Sequence, residues 1–123
     1  MALSKPKRLV RALSAKTQQG AIDWQESLSA DTFQASFKDY SVQIALRDGP
    51  VEGSPIITLS VLNDEGVVVD RFNDEELDLE GDEERLTWFT MMQEMHNLAL
   101  RHARGADKAL NAILGEIEDD IPF

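Results

Sequence analysis

Three features of the 123-residue chain predict an α+β fold. The middle, from Ile22 to Phe72, alternates apolar and polar residues with a period of two, the pattern of half-buried strands. Both ends switch to the three-and-four spacing of amphipathic helices. Between the apolar runs stand the turn formers Gly, Pro, Asn and Asp. The expected order is a helix over 1–20, an antiparallel β-meander of four or five strands over 22–72, an acidic loop over 73–81 and a long helix over 82–118 packed on one face of the sheet. At this length, with 42% apolar residues, one domain (1–123) with one core is the expectation.

Each element has its own signals. Ser4 can cap the first helix, Pro6 is tolerated in its first turn and Gly20 can end it. Leu9, Val10, Leu13 and Thr17 fall on one side of that helix, with Lys7, Arg8 and Arg11 opposite. Ile22, Trp24 and Glu26 alternate with polar neighbours, Phe33, Ala35 and Phe37 share one face, and Tyr40, Val42, Ile44 and Leu46 share another. Lys38-Asp39 is short enough for a hairpin turn, whereas 48–55, with two glycines and two prolines, needs a longer loop. Ile57, Leu59 and Val61 alternate with Thr58 and Ser60, and Asn63-Asp64-Glu65-Gly66 turns the chain into the last strand. The core predicted from these faces gathers Leu9, Leu13, Phe33, Phe37, Val42, Ile44, Leu59, Val61, Phe89 and Met92. The sheet's other face should be polar and wet.

Leu13, Thr17, Gly20, Ile22 and Trp24, then Thr32-Phe33-Gln34-Ala35-Ser36-Phe37, Tyr40-Ser41-Val42, Gly66 and Gly105-Ala106-Asp107-Lys108-Ala109-Leu110, together resemble a pattern found in small, uncharacterised bacterial proteins. The resemblance covers most of the chain and rests on framework residues. It implies the helix, meander, long-helix order and brings no catalytic or binding residue.

The last third carries a seam of Phe89, Met92, His96, Ala99, Ala103, Ala106, Leu110, Ile113 and Ile117 whose phase passes through Gly105 without a slip, which predicts one continuous helix. At 1.5 Å per residue it would be about 55 Å long, against a body roughly 35 Å across for a compact chain of this size. The overhanging end stays apolar, so a homodimer through the long helix is expected, with Ala99, Ala103, Ala106, Leu110, Ile113, Leu114 and Ile117 as the candidate interface. The alternative is a break near Gly105 that folds the last turns back on the sheet.

Function is much less legible. The formal net charge is -11. Lys5, Lys7, Arg8, Arg11 and Lys16 stand at one end without an acid, leaving seven basic against 23 acidic residues in the remainder. That balance argues against nucleic acid, whose binding relies on cations neutralising phosphates, and suits a basic protein partner. With no cysteine there is no disulfide, thiol nucleophile or thiolate metal site, and cytoplasm is the expected location. The longest aliphatic run, Val67 to Val69, is far below the roughly 20 residues of a membrane helix, so no membrane partner is expected.

Asp74, Glu75, Glu76, Asp78, Glu80, Asp82 and Glu83 form a candidate acidic surface. Glu76, Asp78, Glu80 and Gly81 sit where an EF-hand loop puts its first, third, fifth and glycine positions, but Thr87 stands where its bidentate glutamate belongs. No metal, cofactor or catalytic residue is therefore assigned. His96 on the seam reads as a hydrogen-bonded core or interface histidine, and His102 as part of an exposed Arg101-His102-Arg104 cluster. The favoured class is a non-enzymatic acidic protein-binding or regulatory protein, comparable in size and charge to immunity proteins, antitoxins and export chaperones. The alternative class is a small metal-dependent or acid/base enzyme using the acidic loop.

Overall fold

A computed structural model of the chain describes residues 3–49, 53–80 and 87–119. The first helix, α1 (Lys5–Gln18), begins where Ser4 Oγ accepts the Lys7 amide and Pro6 occupies the first turn. It ends in a Schellman motif. Gly20, at φ +73°, lets its own amide reach the Thr17 carbonyl and the Ala21 amide reach that of Lys16. Its inner side holds Val10, Leu13 and Thr17, and also Lys7, which the helical pattern had put with the exposed cations. The Lys7 stem is buried and its ammonium lies 5.3 Å from the centroid of the Trp88 ring, a cation–π contact that makes an inward lysine tolerable.

Five strands follow, β1 (Gln25–Glu26), β2 (Thr32–Ser36), β3 (Tyr40–Asp48), β4 (Pro55–Asn63) and β5 (Val68–Asn73), paired antiparallel in chain order. The meander is therefore five-stranded. Cross-strand partners share a face, so the register Phe33–Ile44–Leu59–Phe72 lays one buried row across four strands. The neighbouring row on the opposite face, Gln25–Gln34–Gln43–Ser60–Arg71, is polar, with Gln43 donating to Gln34 at 2.9 Å and Arg71 to Ser60 at 3.1 Å. Asn63 Oδ1 accepts the Glu65 and Val67 amides and Gly66 takes φ +82°, which closes the β4–β5 turn.

Two strand readings change. Trp24 precedes β1 and does not belong to it; its indole N–H donates to Thr17 Oγ1 at 3.0 Å and ties the segment after α1 back to that helix. Phe37 is exposed, because β2 stops at Ser36 and the Phe37 amide bonds the Tyr40 carbonyl across the hairpin turn. Leu9, Val61 and Phe89 pack at the margin of the core and are only partly buried.

Residues 74–80 are not a loop. They form α2 (Asp74–Glu80), capped by Asn73 Oδ1 on the Glu76 amide at 2.9 Å and held down by buried Leu77. Acids in its first turn suit the positive helix end.

The long helix is also two helices, α3 (Trp88–Ala103) and α4 (Ala106–Asp119), separated by Arg104 and by Gly105 at φ +66°. The helical start expected at Asp82 lies outside the described residues, and α3 begins after its N-cap Thr87. Buried Trp88, Met92, Met95 and Ala99 place α3 against the sheet, with α1 packed along it and α2 beside it. The α4 helix does not fold back on the sheet either.

Candidate functional site

The α3–α4 junction brings together the exposed basic cluster and the acids that hold it. Arg104 Nε donates to Glu26 Oε1 at 2.7 Å, His102 Nε2 to Asp23 Oδ1 at 3.0 Å, and Arg101 to Asp107 Oδ1 at 3.3 Å. The first two tie the end of α3 to the segment around β1, and the third bridges the break to the first turn of α4. All three pairs are solvent-exposed and open to screening by salt, so they orient the junction more than they stabilise it. The His102 bond, with a second from Gln25, holds the Asp23 carboxyl below the usual aspartate range. Asp23 and Glu26 left no trace in the sequence, because they stand 79 and 78 residues from their partners.

A cleft of about 270 Å³ opens between the end of α1 and this junction, lined among others by Thr17, Arg101, His102 and Lys108. Arg101 and His102 already hold carboxylates, and the Thr17 hydroxyl accepts the Trp24 indole. His96 is buried under the sheet. Its Nε2 donates to the Asp31 carbonyl at 2.8 Å and its ring meets Phe33 edge-on at 5.2 Å, so it anchors the loop before β2.

The acidic candidates separate. Asp74 is buried and its Oδ1 accepts the Ile57 amide at 2.9 Å, extending the sheet past the last β4–β5 pair; it is structural, not part of a surface. Glu75, Glu76 and Asp78 are exposed on α2. Two residues apart on a helix, Glu76 and Asp78 point about 160° away from each other, which dismantles the EF-hand alignment. The Glu80 side chain, Asp82 and Glu83 lie outside the described residues. Among those described, no group of three His, Asp or Glu side chains could hold a metal ion, and no helix is long and apolar enough to cross a membrane.

The interface candidates separate too. Ala99 is fully buried in the core and cannot meet a partner, and Ala103 and Ala106 are half-buried. Leu110, Ile113, Leu114 and Ile117 remain 48 to 54% exposed along α4. They form a contiguous aliphatic stripe on a helix of 14 residues that leaves the body at Gly105 and has its main packing contact with α3. Comparison of the chain with protein-family models, with curated proteins and with solved structures returns no match.

Proposed function

We propose that this is a non-enzymatic protein-binding or regulatory protein whose binding element is α4, and that its first partner is a second copy of itself. One observation carries the reading: Leu110, Ile113, Leu114 and Ile117 form an apolar stripe that the chain's own body leaves half-exposed. An isolated helix of about 12 to 15 residues is marginal in water, so the 14 residues of α4 gain most of their order from whatever covers that stripe. Fully burying a Leu or Ile side chain is worth about 1.5 to 3 kcal/mol. Covering the remaining half of four such residues on each of two chains yields about 6 to 12 kcal/mol, of the same order as an association cost of about 4 to 15 kcal/mol, which suits a weak and reversible dimer.

The exposed acids of α2 stay free in such a dimer and suit a basic protein as further partner.

Sedimentation equilibrium at tens of micromolar tests the reading. The expected result is a species of twice the 13.8 kDa chain mass, returned to monomer by Leu110→Glu or Ile113→Glu. A parent protein that sediments at 13.8 kDa at every concentration overturns the homodimer, and recovery of a defined basic partner from the native source then becomes the remaining route to a binding function.

A further inference from the structure

We infer that Gly105 is a two-state hinge, at which α3 and α4 stand either broken, as here, or fused into one helix over 88–119 with an unbroken apolar seam. Two independent observations meet at this residue. The seam keeps its phase across the break: Ala99 and Ala103 on α3 are followed at three- and four-residue steps by Ala106, Leu110, Ile113 and Ile117 on α4. Two helices joined by a loop of fixed geometry have no need of a shared phase. Yet the backbone at Gly105 has φ +66°, which a helix cannot contain.

Among the described residues, little holds the broken form in place. The Gly105 amide takes the His102 carbonyl, a helix-end bond replaceable by ordinary helical ones, and the Ala109 amide already bonds the Gly105 carbonyl with helical spacing. Across the break the charged staple is Arg101–Asp107, an exposed pair that salt weakens. A Cβ at residue 105 would meet nothing within 4 Å, so no packing demands a glycine there. The demand comes from the backbone angle alone.

Fusing the helices turns the stripe of α4 to the same side as the buried face of α3, in line with the core and beyond its end. That is the geometry in which a second copy could lie along an unbroken seam. This coupling rests on the dimer reading; the hinge itself does not.

Because the chain has no cysteine, paired spin labels at Gln93→Cys and Asn111→Cys, both exposed positions, report the geometry cleanly. The measurement uses the full chain diluted with excess unlabelled protein, so that only distances within one chain are read. In a fused helix the labelled backbone positions are about 27 Å apart, and a bend at Gly105 shortens the separation. Gly105→Ala penalises the left-handed backbone and favours the helix, shifting the balance to the fused form by about 30-fold or more. Asparagine tolerates the left-handed region, so Gly105→Asn is the control expected to keep the shorter distance. The hinge is supported if Ala moves the population to the fused separation while Asn does not. It is overturned if Ala leaves the parent distribution in place. A fused Ala variant that still sediments as a monomer sustains the hinge and tells against the dimer. A dimer whose distances stay short sustains the dimer and tells against the coupling.

Discussion

Asp74 holds the first position of α2 with its carboxylate turned inward, and the Ile57 amide it satisfies has no strand partner beyond the end of β5. Asp74→Ala leaves that buried N–H unpaired, and a loss of about 1 to 3 kcal/mol is expected in urea unfolding. Asp74→Asn keeps an oxygen at the same place and should lose less; equal losses for the two variants would show that the acceptor is not what matters. At Asp23 the question is one of charge. The His102 and Gln25 bonds lower its folded pKa below the usual value of about 3.9, so the pairing is fully present above that ordinary value and is lost as pH falls through the lowered one. The window lies in acid. His102→Ala should move the Asp23 midpoint, followed by carboxyl NMR, back up towards the ordinary range. A midpoint that ignores this change would place His102 elsewhere in solution.

The strands were legible because burial on one face imposes a strict period of two, and the row Phe33–Ile44–Leu59–Phe72 is that period written across the sheet. Leu59 lies mid-row and is fully buried. Leu59→Ala should therefore cost about 2 to 5 kcal/mol, whereas Phe37→Ser, at a position 48% exposed, should change stability by about 1 kcal/mol or less. Phe37 was misread because alternation in sequence does not announce where the ladder stops. The α2 helix was hidden for a different reason: seven residues with one buried apolar side chain, Leu77, are too short to show a period, and although the Asn73 cap is local, the Asp74 bond to Ile57 that fixes the helix on the sheet joins residues far apart in the chain. The break between α3 and α4 was hidden because one left-handed glycine interrupts a helix without disturbing the phase on either side. Of the candidate site, the stripe on α4 was visible in sequence, and the ion pairs at its root were not. Residues far apart in the chain carry no mutual signal in one sequence.

At the scale of the whole molecule the two forces that govern self-association oppose each other. Apolar cover for Leu110, Ile113, Leu114 and Ile117 draws two copies together, while each chain brings a formal charge of -11. At about 0.01 M salt the Debye length is about 30 Å, comparable to the molecule, and the two negative bodies repel across their full extent. At about 0.1 M it falls to about 10 Å, and that repulsion is largely screened. The dimer should therefore tighten as salt rises from about 0.01 to about 0.1 M, the opposite of what an interface built on ion pairs would do. Sedimentation equilibrium over that range, repeated with Leu110→Glu, distinguishes the two: association that weakens with salt would move the contact from the stripe of α4 to a charged surface, with the acids of α2 and the cations of α1 as its first candidates.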